Sequence, residues 1–317
     1  ERHELYSSAT KIAMQDSVRI WVATVLNSFP MSSKLEGITE DAVSGPKGLW
    51  SLREVYIPGQ TELTVGNLWV WTERTTWNPV GGFGDVYSAD IWQFIRDPML
   101  SRHPFTGMPI PLRIKYDVQT AGPADDIHIP SDTFVWDADE DVWAKIVPGS
   151  TAISKVTYDF EKYFSSKWHH GQPITMADVV YSIYQNFEMT YDDEKSEIEF
   201  AISTTSKPFL DTFKGFRILD ENRLEVYLDY WHFEDSYIAE YANVVGLSMP
   251  WEILASMDDL VFSDRKAAYS DTAAERFRVP WISLVIERDA RMVKAKLTSY
   301  LKTNHIPEVF KLGELNL

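Results

Sequence analysis

The apolar positions of this chain change period several times, and each change marks an element. In "MADVVYSIYQNF" the residues Val179, Val180, Ile183 and Phe187 recur at three- and four-residue intervals, which predicts a helix with one apolar stripe. "AISKVTYDF" (152–160) alternates apolar and polar, the period of a half-buried strand. "RILDENRLEVYLDYWHF" (217–233) alternates in two arms about Asp220, Glu221 and Asn222, which predicts a hairpin. The same criterion predicts a strand over 61–73 and short strands at 112–118 and 133–136. Residues 4–29 contain no Gly or Pro and read as helix, turning toward strand near "RIWVATV". Pro30 to Gly48 reads as a loop. "SADIWQFIRDPML" reads as a short helix capped by Ser88 or Asp90 and stopped by Pro98. "DSYIAEYANVVG" reads as helix, Pro250 opens another, and 272–304 supply one or two more with a break near Pro280. Strands and helices mixed in this way predict an α/β, or mixed α+β, architecture with long irregular loops.

One stretch, "KWHHGQPITMADVV", is punctuated more tightly than the rest. Gly171 permits a turn that a side chain would strain, and Pro173 holds the chain extended. Thr175 and Asp178 stand three apart, as in a capping box, and an Asp in the first turn meets the positive helix end. His169 and His170 adjoin the turn, but adjacent residues of an extended segment point to opposite faces. None of the 7 histidines has a zinc-site spacing, so no metal and no cofactor is expected.

Composition narrows the function classes. The formal charge of -17 opposes nucleic-acid binding, which needs a basic surface. With no Cys, thiol catalysis and thiolate metal sites are excluded. A P-loop, a G-x-G-x-x-G turn and a G-x-S-x-G elbow are all missing from the text. No apolar run reaches membrane-spanning length. The 47 acidic residues offer carboxylate pairs by chance, so a glycosidase pair cannot be chosen among them. The 12 Trp, 15 Tyr and 16 Phe fill a core and leave rings for a cavity suited to peptides or sugars.

The stretch "VTYDFEKYFSSKWHHGQPITMADVVYSI" resembles the signature of the family 5 extracellular solute-binding proteins, the peptide and nickel receptors of ABC importers. Trp168 takes the aromatic place, His169 the histidine, Gly171 the glycine and Pro173 the proline. Thr175, Ala177, Asp178, Val179 and Ser182 take the helix-start positions, while His170 replaces the usual Asp. Trp77, Asn78 and Pro79 occupy the place of a Leu-Asn-Pro motif, Asp97 to Leu100 that of a later segment, and "FRILDENRLEVYL" is similar to the hairpin that follows the signature. The resemblance spans roughly 61–235.

It implies a type II lobe of the periplasmic-binding-protein kind, incomplete here, because the family's chains are longer and its first strand begins near their start. Residues 1–55 then form a helical segment and linker of another lobe, and 56–317 the lobe itself. The implied function is capture of a peptide by a monomeric extracellular receptor without catalysis, and delivery to a membrane permease. Membrane association would come through that permease or through a part outside this chain. The alternatives are an oligosaccharide receptor of the same family and a secreted glycoside hydrolase. Candidate ligand contacts are Trp77 and Asn78 after the first strand, Tyr87 nearby, Trp168 and His170 at the turn, and Trp231 in the cluster "YWHF".

Overall fold

The computed structural model describes residues 1–16, 28–42, 44–66 and 75–310. The chain opens with helix α1 (Arg2–Gln15), none of whose residues is buried, and continues through a loop to α2 (Leu49–Glu54). A two-residue ladder, β1 (Trp77–Asn78) and β2 (Gly82–Phe83), leads into α3 (Val86–Ile95). Strands β3 (Leu100–Arg102) and β4 (Pro109–Pro111) pair, followed by β5 (Lys115–Thr120), β6 (Ile127–His128), β7 (Phe134–Asp137), β8 (Val142–Lys145), β9 (Thr151–Ala152) and β10 (Ser154–Asp159). The helical layer then begins with α4 (Glu161–Phe164), α5 (Met176–Tyr191), α6 (Asp193–Ile198) and α7 (Phe200–Leu210). Strands β11 (Phe213–Ile218) and β12 (Arg223–Leu228) return to the sheet. The chain continues with α8 (Asp235–Tyr241), α9 (Trp251–Asp258), a π-turn over Asp259–Ser263, α10 (Asp271–Phe277) and α11 (Glu287–Thr303).

The centre is a six-stranded sheet in the order β5-β10-β12-β11-β7-β8, antiparallel at every pairing. The architecture is therefore mixed α and β with an open sheet. Register puts Val156 between Val118 and Val226, and Tyr158 between Tyr116 and Leu224. With side chains alternating along each strand, Val156, Tyr158, Leu224 and Val226 face one way and are fully buried in the main core. α5 lies against this core, and Val179, Val180, Ile183 and Phe187 are all buried as their spacing predicts. Burial continues round the helix to Tyr181, Gln185 and Glu188, because other helices cover the side away from the sheet.

The second sheet face is covered as well. Tyr227 packs with Ile129, Ile146 and Ala152 from the long 121–152 segment. Glu225 is buried there, where Lys155 Nζ (3.0 Å) and the Tyr227 hydroxyl (2.8 Å) donate to it. Strand β12 thus has two buried faces despite its alternating text.

Two expectations shift. α3 is capped by Asp85, whose carboxylate accepts from the Ser88 N–H at 2.8 Å, rather than by Ser88 or Asp90. It ends at Ile95, before Pro98. Of the strand expected over 61–73, residues 61–66 form none, and 67–73 lie outside the described residues. The expected helix 4–29 is α1 as far as Gln15, and its continuation over 17–27, including the turn toward strand, lies outside them too. Residues 44–56 rest on the later chain: Arg53 pairs with Asp97 at 2.9 Å, and the Trp50 indole donates to the Arg102 carbonyl at 2.7 Å.

Candidate functional site

The turn before α5 folds as its punctuation predicts. Lys167 and Pro173 face each other in an antiparallel bridge, and the Gly171 N–H donates to the Trp168 carbonyl at 2.8 Å. Gly171 has φ +96, the left-handed region, and an added Cβ would meet nothing within 4 Å. Its requirement is conformational, not steric. Thr175 and Asp178 form the capping box of α5, and the Asp178 carboxylate accepts from the Thr175 N–H at 2.9 Å.

Asp178 does more than cap. Its second oxygen accepts from the Trp251 N–H at 3.0 Å, and the Trp168 indole donates to the first at 3.3 Å. One buried carboxylate therefore ties the hairpin to the start of α5 and the start of α9. Burial pushes its pKa up, while the hydrogen bonds from Thr175, Trp251 and Trp168 pull it down. Beside it, His170 Nε2 lies 3.1 Å from Glu252 Oε1, in the first turn of α9. Trp168 and His170 are thus brought together where two helix N-termini converge. Trp168 is half-buried against the core, and His169 and His170 are exposed.

The other candidates stand elsewhere. The Trp77 ring is buried edge-on to Phe83 (5.2 Å) and Trp92 (6.0 Å), and its backbone meets Ser283 and Leu284. Asn78 is fully buried: its amide donates to the Tyr269 carbonyl at 3.1 Å, and its oxygen accepts from the Val80 and Gly81 N–H groups. This turn presses so closely that a Cβ on Gly81 would stand 1.8 Å from the Tyr269 carbonyl oxygen. Tyr87 is half-buried on α3. Trp231 is 40% exposed beyond the end of β12, close to Gly122. The chain leaves β12 for Trp231 and β10 for Trp168 at opposite ends of their ladder, roughly 17 Å apart along six paired residues.

The interior holds a polar centre that the text does not announce. Asp258, the last residue of α9, accepts from the Tyr181 hydroxyl (2.7 Å), the Gln185 amide (2.8 Å) and the Tyr269 hydroxyl (2.7 Å). The residue as a whole is only half-buried, but its carboxylate is enclosed by these donors, and burial pushes its pKa up. Glu199 forms a second centre: it accepts from the N–H groups of Tyr269 (2.6 Å) and Ser270 (3.1 Å) and from the Ser270 hydroxyl (2.6 Å), at the start of α10. The available signal was slight. Tyr181 and Gln185 are four apart on α5, one face of a helix. The acidic partner sits on another element.

Among the described residues no three or more His, Asp or Glu are arranged to hold a metal ion, and no helix is long and apolar enough to cross a membrane. Comparison with known proteins gives no match, either to a family model or to a curated protein. The arrangement as it stands offers ring, imidazole and carboxylate groups for non-covalent contact at the Trp168 hairpin.

Proposed function

We propose that the chain is a solute-binding lobe of an extracellular receptor, which captures short peptides without catalysis and delivers them to a membrane permease. The observation that carries this reading is the hairpin, glycine turn and capped helix of residues 167–191, followed by the β11–β12 hairpin. The residues that give the sequence its resemblance to the family 5 receptors are the same ones that fix this geometry: Gly171 by its φ, Thr175 and Asp178 by the capping box. Trp168 and His170 are the contacts offered to a ligand, because both reach the surface beside Glu252. Trp77 and Asn78 act as frame, pinning the first hairpin to Ser283 and Tyr269. A ligand closing over the lobe would bury the half-exposed Trp168 ring and gain from its area.

A sugar ligand is the second reading, favoured by the exposed indole of Trp231 and the neighbouring Phe233, 79% exposed. Titration calorimetry with a mixture of tri- to pentapeptides, and separately with short oligosaccharides, distinguishes the two. Saturable heat with peptides, weakened about tenfold or more by Trp168→Ala, is expected of a ring that anchors the ligand. Heat with neither ligand class, or peptide binding indifferent to Trp168→Ala and His170→Ala, would sink the reading.

A further inference from the structure

A separate cleft of 630 Å³ opens where α5 ends, between α6 and α7. It lies at the far end of α5 from the Trp168 hairpin, about 22 Å along the helix axis, so nothing said of it depends on the peptide-receptor reading. Asp193, Glu197 and Asp211 line it against a single base, Lys207.

The side chains at its mouth already hold an ammonium group. Lys207 Nζ stands 4.6 Å from the centre of the Tyr191 ring and 2.8 Å from Asp211 Oδ1. The Tyr191 hydroxyl donates to the same oxygen at 2.8 Å. An aromatic face and a carboxylate around one cation are the elements of ammonium recognition. Lys207 and Asp211 are half exposed, at 52% and 51%, so their pairing is weak and the lysine can swing away at little cost.

One polar side chain beside the cleft is left over by the fold among the described residues. Thr190 is 4% exposed and lines the cleft, yet among the described residues its hydroxyl has no hydrogen-bond partner. A buried hydroxyl without a partner is costly unless something else supplies one. Pro208 lies inside α7 and has no N–H to offer the Thr204 carbonyl one turn earlier, and both residues line the cleft. Phe200, 64% exposed at the rim, supplies apolar surface for an alkyl chain.

We propose that this cleft binds a primary alkylammonium group, from a free polyamine or a lysine side chain, with Asp211 and the Tyr191 ring replacing Lys207 by the ligand's cation. Lys207 is then an internal competitor, and its removal should tighten binding.

Titration calorimetry of the chain at low ionic strength tests this with spermidine, with N-acetylated and C-amidated Ala-Lys-Ala, and with the equally blocked, uncharged Ala-norleucine-Ala. Saturable binding of a charged probe and none of the uncharged peptide is expected. Spermidine alone binding assigns the site to free polyamines; Ala-Lys-Ala binding assigns it to lysine side chains. Asp211→Asn should weaken binding, and Lys207→Gln tighten it, each about three- to tenfold. Lys214→Gln removes the same charge from a different ion pair, with Asp229, and should leave binding unchanged. Circular dichroism confirms that each variant is folded. No saturable binding of either charged probe overturns the proposal, and so does an equal effect of Lys207→Gln and Lys214→Gln, which would reduce the binding to general surface charge.

Discussion

Asp178 and Asp258 are both acids with raised pKa values, and they do different work. Asp178 holds three elements together, so Asp178→Ala leaves the Thr175 and Trp251 N–H groups and the Trp168 indole without their acceptor. The expected loss is roughly 2–4 kcal/mol in urea unfolding, the sum of a lost cap and unsatisfied buried donors. Asp178→Asn keeps an acceptor oxygen and should lose less. Asp258 also joins elements, tying the end of α9 to α5 and to Tyr269, but its distinguishing signature is pH dependence. Its folded pKa is raised, chiefly by burial and against the hydrogen bonds from Tyr269, Gln185 and Tyr181, so the folded protein holds this proton more tightly than the unfolded chain. The resulting stabilisation is complete below the unfolded carboxylate value of about 3.9 and is lost as pH rises through the folded value. Relative to Asp258→Asn, the wild type should therefore lose stability as pH rises above about 4 and through the folded value, by urea midpoints at each pH. A difference that stays flat or grows with pH would contradict the enclosed carboxylate.

At the scale of elements, legibility followed length and local punctuation. α5 could be read because its stripe, its N-cap Thr175 and its turn glycine all lie within about twenty consecutive residues of text. The β11–β12 hairpin was legible for the same reason, with Asp220 turning the chain by accepting from the Asn222 and Arg223 N–H groups. The ladders β1–β2, β3–β4 and β6–β9 are two or three residues long, too short for alternation to register. The cap of α3 was misplaced because Val86 and Tyr87 separate Asp85 from the recognisable part of the helix. Least legible was the joining of Asn78 and Gly81 to Tyr269, since it depends on chain segments that sequence spacing does not relate. That contact makes its own prediction. Gly81→Ala brings a methyl group against the Tyr269 carbonyl, which must move away together with the Glu199 bonds beside it. A loss of roughly 2 kcal/mol or more is expected in thermal or urea unfolding. At Gly171, where space is open, alanine should cost only the strain of its φ, about 1 kcal/mol.

Across the whole molecule, an open antiparallel sheet carries helices on one face and a long looped segment on the other. The sequence resemblance suggested a receptor lobe. In the proposed reading the sheet and helices are the frame, with the Trp168 hairpin held by Asp178 at one place and Trp231 standing at another. The six candidate residues do not form one cluster, because Trp77 and Asn78 are committed to the frame and Trp231 leaves the sheet at the end opposite Trp168. The net charge of -17 gives the surface an acidic field, which draws cationic solutes and weakens as salt is added. Non-covalent capture is the central claim, and native mass spectrometry of the freshly purified protein tests it most directly. The account predicts a population heavier than the bare chain by the mass of a small solute, which denaturation releases as peptide. A single species at the bare-chain mass, unchanged after incubation with peptide and oligosaccharide mixtures, would contradict it.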